Sequence, residues 1–455
     1  MLTDAQLLQM SVTLVLAVLV FTIAFSLPPK VSATALILLI PFQPIDTKFA
    51  SANVLLTIVV FIALLIKGIR VRVPLLTQIL ILFFAYMISW GLSHPATLGQ
   101  HFVYILALVS AFFVLWITYD LTMRLDSIRE MVNIFVIMNI LVVIYSVVQL
   151  ASGSGEKIVF FGIEEFHMNH TRSDRRLTGP FGSAGIAAEY TVIMLFMILY
   201  QVLWTSNVWR RYGLICLGAV NILFLIATGN RGGFLVMIGA GLMFLWMFRK
   251  MLGPVRAIGI AATAVVFVSI ATIVATTYTD FDLLFTRLAD TEIESGIPDT
   301  RSVVWPVAWQ AIQEKPILGH GPRLRFDGEE GGARYKNHLY ILYPHNLYLF
   351  LLFTVGVVGL IAYIIFLVTP LVRCWSATRR SISESYEVGF ARVGIVFIVI
   401  VFVDGIKIDF ARFVLVDYWH FIFALIGLLI ATCDRIKMMD HSSPSSRLDP
   451  AIKLT

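Results

Sequence analysis

The chain has 455 residues, of which 59% are hydrophobic and only 14% charged, with a mean hydropathy of +0.87 and a formal net charge of +6. A soluble domain is nearer half apolar and about a quarter charged, so this composition excludes a soluble enzyme. No basic tract points to nucleic acid, and Cys216, Cys374 and Cys433 form neither a CxxC pair nor a disulfide framework.

Apolar runs of about 20 residues recur along the whole length, each long enough to cross about 30 Å of hydrocarbon. A barrel would need alternating segments of about ten residues instead. The pattern therefore predicts an all-α polytopic membrane protein with one continuous membrane domain. Spans are expected at about 9–27, 52–68, 74–93, 99–119, 130–150, 185–204, 211–229, 232–249, 255–277, 346–369, 388–408 and 415–433. Segment 31–43 is apolar but short; it either spans with help from its flanks or dips in and returns, so the count is twelve or thirteen, and the side of the N-terminus depends on it. No Lys or Arg precedes Lys30 and there is no A-x-A site, which reads as a retained first span and not a cleaved signal. No internal repeat at transporter-half spacing is evident.

Basic residues set the orientation. Lys67, Arg70 and Arg72, then Arg124 and Arg129, then Arg210 and Arg211, then Arg249, Lys250 and Arg256, then Arg373, Arg379 and Arg380 fall in alternate loops. All are expected on the cytoplasmic side, together with Arg435, Lys437 and the C-terminus. The chain then divides into N-terminal transmembrane helices over 1–277 with an outer loop at 153–184, a large, partly helical outer loop over 278–345, C-terminal transmembrane helices over 346–433, and a cytoplasmic tail over 434–455. The stretch HSSPSSRLDP in that tail is polar enough to be disordered.

Arginines facing outward run against the topological bias. Arg172, Arg175 and Arg176 lie in the first outer loop, where the residues leave open a solvated loop paired to Asp174, Glu164 and Glu165 or an anion site. Arg231 sits between two spans joined by almost no loop. Asn230 is a natural N-cap for the helix that follows, whose free N–H groups and positive dipole end favour an anion. Gly232 and Gly233 would admit a ligand close to the backbone. A diphosphate site fits this group; an arginine snorkelling to headgroups is the plainer reading. Ser183 and Asn346 offer the same capping geometry to the spans near 185 and after 346, so three inward-running helices would present N-termini at the outer face.

His345 stands at the mouth of its span and has the chemistry to take a proton from a sugar hydroxyl near neutral pH, although a lone interfacial histidine is more often structural. His320 and His338 are weaker candidates. Arg301 to Ile317 reads as a short amphipathic helix broken near Pro306, with Trp305, Val307, Ala308 and Ile312 apolar, suited to lie on the membrane surface. Glu189 lies inside a span near the outer face, where a carboxylate is costly and usually functional or paired, with an arginine as the expected partner. Asp404, Lys407, Asp409, Arg412 and Asp417 surround the last outer turn and would pair with one another. Asp280-Phe281-Asp282 matches a metal-binding DxD, but three residues with one wildcard carry little, and nucleotide sugars are absent outside the cell. No Walker loop or HExxH is present.

Asn230-Arg231-Gly232-Gly233 opening a span, then Arg301 through Gly321 (R…W..A…I…P-ILG-G-P), then His345-Asn346-Leu347-Tyr348-Leu349 through Gly359-Leu360, taken in this order and topology, resemble the O-antigen ligase and O-antigen polymerase superfamily. The resemblance implies a membrane glycosyltransferase fold of the GT-C type in the bacterial inner membrane. Its substrate would be a polyprenyl-diphosphate-linked glycan at the periplasmic face, and its acceptor a lipid A core sugar or a growing glycan. The reaction would be inverting, with no metal and no cofactor. Carried over by motif, Arg231 would hold the diphosphate, His345 would assist the acceptor hydroxyl or orient the donor, and Arg301 would neutralise charge. Arg175, Arg176 and Arg287 match no fixed motif position. The loop over 278–345 would then lie over a site built by helix ends. A transporter or flippase for a lipid-linked sugar is the alternative of another class; it predicts repeated halves and polar groups near the midplane, whereas the polar groups here gather at the outer face. A structural envelope protein would need no such group of arginines and histidine.

Overall fold

A computed structural model describes residues 18–42, 52–91, 98–151, 158–160, 163–166, 176–181, 183–278, 293–294, 297–298, 301–321, 334–335, 338–339, 344–380, 384–407 and 416–442. After a helical segment over 18–26 come α1 (Pro29–Leu39), α2 (Ala52–Ile66), α3 (Leu76–Gly91), α4 (Leu98–Arg124) and α5 (Ile128–Ala151). They are followed by α6 (Ala184–Trp204), α7 (Val208–Ala227), α8 (Arg231–Tyr278), α9 (Arg301–Glu314), α10 (Leu347–Arg380), α11 (Tyr386–Asp404) and α12 (Val416–Ser442). The two outer loops also carry short antiparallel ladders that the sequence pattern did not announce: β1 (Ile158–Phe160) with β2 (Ile163–Phe166), β3 (Ile293–Glu294) with β4 (Ile297–Pro298), and β5 (Arg334–Tyr335) with β6 (His338–Leu339).

Among the described residues, seven helices are long and apolar enough to cross a membrane: parts of α4, α5, α8 and α10 together with α6, α7 and α11. This is the polytopic helical bundle expected; the seven spans are those among the described residues. The apolar helices α1, α2 and α3 are shorter, at 11, 15 and 16 residues. At about 1.5 Å per residue, α1 rises only about half the thickness of the hydrocarbon. Its bounds are local: Pro29 fixes the first turn, and Pro41 stands just past the last one. Helix α8 is divided at Gly253 (φ 69°, ψ 163°) into segments over 231–252 and 254–278, in line with the separate runs expected at 232–249 and 255–277. Pro306, expected to break its helix, lies within a continuous α9 as its sixth residue.

The basic residues assigned to one side do gather at one end of the bundle. Arg124 pairs with Asp120 at 2.6 Å and donates to Arg70 O. Arg129 sits over the Tyr386 ring, Arg210 donates to Asn133, Arg373 reaches Asp434, and Arg435 donates to Leu125 O at 2.7 Å. Lys30 reaches Glu130 at 3.1 Å at the same end. So α1 leaves this end, Asn53 Nδ2 donates to Ile40 O near the far tip, and α2 returns to Lys67, which donates to Ala24 O.

The interior is built around α12, where Trp419 and the run from Phe421 to Phe423 are 1% exposed or less. In lipid, helices associate by close packing and cross-helix hydrogen bonds more than by hydrophobic driving force. Gly427 meets α4 so closely that a Cβ there would lie 2.5 Å from Leu115 O. Ser110 Oγ and His420 Nε2 join the same two helices at 2.8 Å. Cys374 and Cys433, far apart in sequence, bring their thiols to 3.6 Å between α10 and α12.

One irregularity positions the polar segment. Helix α10 breaks at Gly356 (φ 67°, ψ −170°), inside its candidate span. The break frees the N–H groups of Val357 and Val358 and the carbonyls of Phe353 and Thr354. Residues 316–321 satisfy all four. Val357 N donates to Pro316 O at 2.9 Å and Val358 N to Ile317 O at 3.2 Å, while Phe353 O accepts from His320 N at 2.8 Å and Thr354 O from Gly321 N at 2.9 Å. Gly319 and Gly356 meet face to face: a Cβ on the first would lie 2.5 Å from Thr354, and one on the second would collide with Ile317 O. Substituting Gly356→Ala should therefore lower stability by about 2–4 kcal/mol through strain and lost pairing. A thermal melt in detergent, compared with the exposed control Gly213→Ala, is the measurement.

Candidate functional site

At the end of the bundle opposite the basic residues, α11 closes at Asp404 and the chain turns through Gly405 and Ile406 to Lys407. Lys407 N donates to Asp404 O at 2.9 Å, and Lys407 Nζ lies 2.6 Å from Asp404 Oδ1, with the Asp404 side chain fully buried. Three helix starts dock on this turn.

The first is α8. Asn230 Oδ1 accepts from Gly233 N at 2.8 Å, so the cap read from the sequence is formed. It places Arg231 at the first helical position. The Lys407 stem lies across Gly232, where a Cβ would come within 2.5 Å of Lys407 Cδ. A Cβ on Gly233 would lie 2.8 Å from Ala188 Cβ, next to Glu189 on α6. The second is α9, whose Arg301 donates from Nη2 to Lys407 O at 3.1 Å. Its buried stripe of Val304, Ala308 and Ile312 follows helical spacing, and Trp305 Nε1 donates to Pro344 O at 2.8 Å. The third is α10. Leu347 N donates to Gly405 O at 2.7 Å, and Asn346 Oδ1 accepts from Tyr348 N and Leu349 N at 3.0 and 3.1 Å, so this cap is formed too. His345 is exposed just before it, with φ at +46°, a left-handed conformation uncommon for any residue but glycine.

Arg231 and Arg301 are close enough for their like charges to act on one another. Below them, Glu189 is fully buried and faces Asp404, Lys407 and Tyr418. The cation it meets is thus Lys407, not the arginine expected from the sequence. Arg176 adjoins the same region: Leu177 N donates to Ala227 O at 3.0 Å, at the end of α7 and four residues before Arg231. Gln149 holds this strap through Gly179 N at 3.0 Å and Thr178 Oγ1 at 3.2 Å.

Other expectations fare differently. Ser183 occupies the cap position of α6 but makes no side-chain cap bond; its backbone carbonyl alone accepts, from Ala187 N. His320 has a structural place: its Nε2 lies 2.7 Å from Ala311 O and its ring stacks on Phe353. Arg172, Arg175, Arg287, Arg323, Arg325, Asp409, Arg412 and the Asp280–Asp282 pair lie outside the described residues, and the side chains of His338 and Asp417 are not described. Sequence reasoning grouped Asp404 and Lys407 as a local pair, which they are, and missed that they form the hub. The available signal was an intramembrane Asp with Lys three residues on, which puts both on one face of a helical turn. No group of three His, Cys, Asp or Glu among the described residues is placed to hold a metal.

Two guanidinium groups, two capped helix N-termini and an exposed imidazole thus converge on one turn. This is an arrangement suited to an anion beside a group that exchanges protons. Residues 216–364 match the family model for the O-Antigen ligase. The match supports a likeness to the O-antigen ligase and polymerase superfamily over about a third of the chain. No curated protein matches the chain. The matched third runs from α7 into α10. It includes Arg231, Arg301, His345 and Asn346 but leaves out Glu189, Asp404 and Lys407. Removing either cap, by Asn230→Ala or Asn346→Ala, should lower stability by about 1 kcal/mol, read as a lower thermal midpoint in lipid nanodiscs.

Proposed function

We propose that the protein is a glycosyltransferase that moves a polyprenyl-diphosphate-linked glycan to a lipid A core sugar at the periplasmic face of the inner membrane. The observation that carries this reading is that Arg301 and the backbone just after His345 bond to the turn at 404–407, while Arg231 opens the capped helix whose Gly232 packs on Lys407. The basic end of the bundle would face the cytoplasm by the positive-inside bias, which puts the site on the periplasmic side.

In this reading the acceptor hydroxyl attacks the anomeric carbon from the face opposite the diphosphate. The new C–O bond forms as the C–O bond to the diphosphate breaks, the configuration inverts, and the electron pair leaves on the diphosphate oxygen. His345 takes the hydroxyl proton. Arg231 and Arg301 bind the diphosphate, whose terminal charge grows as it departs, so cations and N–H groups already aimed there stabilise the transition state more than the ground state. Gly232, expected to admit the ligand, is instead covered by the Lys407 stem, and Asn346 holds the start of α10 beside His345; Arg175 and Arg176 would add anion contacts from the first outer loop. Glu189 supports the site from below. No step requires a metal or a cofactor. The same chemistry with a growing glycan as acceptor would make the protein a repeat-unit polymerase.

Deleting the gene and resolving surface glycans on a gel tests the assignment. Uncapped core with accumulated lipid-linked polymer marks a ligase. Core bearing one repeat marks an O-antigen polymerase, and unchanged lipopolysaccharide with lost exopolysaccharide marks a secreted-polymer polymerase. Arg231→Ala should cut transfer about 100-fold and His345→Ala about 100-fold or more at unchanged protein level, and transfer should survive EDTA. Full activity in both variants would remove the site assignment.

A further inference from the structure

We propose that Lys407 is a positioning residue that registers Arg231 and Arg301 against each other. The inference rests on the anion-site reading above and deepens it. Lys407 makes three contacts with three different elements. Its ammonium is tied to the buried Asp404 carboxylate at 2.6 Å. Its stem crosses Gly232, directly after Arg231. Its main-chain oxygen accepts from the Arg301 guanidinium at 3.1 Å. The start of α8 and the Arg301 guanidinium are therefore both referenced to one residue.

The chemistry gives that arrangement a purpose. Arg231 and Arg301 repel one another, and the repulsion is greatest before an anion arrives. A carbonyl dipole on one guanidinium and a packed stem against the base of the other oppose their separation. The third positive charge does not add to the problem, because Asp404 offsets it. Nor is Lys407 a plausible arm for the ligand: its ammonium is occupied and its side chain is only 14% exposed. Gly232 completes the case. Its backbone is not left-handed, so conformation does not demand glycine there; the Lys407 stem does.

The test is a double-mutant cycle on the full chain in nanodiscs, with lipid-linked glycan as donor and lipid A core as acceptor, reading kcat and donor KM separately. Gly232→Ala and Lys407→Ala should each lower kcat by roughly tenfold, since small misplacements of reacting groups carry losses of that order. The double variant should be no worse than either single, because the alanine methyl then enters the space the lysine left. Additive losses, near 100-fold, would overturn the proposal, as would single variants with wild-type kcat. Lysine removal alone leaves Asp404 buried without its partner and threatens folding. The pair Asp404→Asn with Lys407→Ala removes both charges and the stem; it should regain membrane abundance while transfer stays low, and wild-type transfer in that variant would also overturn the proposal. An active Arg231→Ala sinks the anion-site reading and this inference together. An inactive Arg231→Ala with additive Gly232 and Lys407 losses sinks this inference alone.

Discussion

Hydrocarbon offers no water to an interrupted helix, so a chain can break one inside a membrane only where other protein groups take over the freed backbone bonds. The break in α10 at Gly356 meets that condition through residues 316–321, which supply two acceptors and two donors to the four orphaned groups. Ser89 adds a bond to Thr354 O at 2.7 Å, joining α3 to the same place. This interlock fixes the C-terminal end of the segment that begins at Arg301, and it depends on two glycines because two backbones must lie in contact. It acts together with the buried stripe of α9, the Trp305 bond and the Arg301 bond to Lys407 O, which hold Arg301 at the end of α11.

The cradle illustrates a second balance. Burying Asp404 and Glu189 together is costly unless a cation shares the space, and Lys407 supplies it. The cluster gives the membrane end of α11 a floor, to which α9 and α10 each place a hydrogen bond and against which α8 packs Gly232.

What could be read from the sequence follows from how local each signal is. Helices, caps at Asn230 and Asn346, and the gathering of basic residues at one end depend on spacing within a single element or on loop composition, and the structure repeats them. The cap at Ser183 fails because capping needs a side-chain geometry that the residue type only permits. Pro306 misled because the packing of the buried stripe of α9 outweighs the one backbone bond that proline removes. The short α1 is a matter of length, where a hydropathy run does not reveal the exit point. Arg231, Arg301 and His345 were legible as candidates by type and position. Their meeting point was not, because residues 404–407 bond to partners about 60 to 175 positions away, and nothing in four residues of sequence announces such partners.

The interlocked turn at 404–407 also sets when the site comes into being. Its parts leave the ribosome in the order Glu189, Arg231, Arg301, His345 and Lys407, and a membrane chain is threaded into the bilayer in that order. All four earlier residues are made before Lys407 completes the turn. On the proposed reading, a chain stopped short of Lys407 holds its arginines without the residue that registers them, and the cradle is finished only when the last pair of helices folds in.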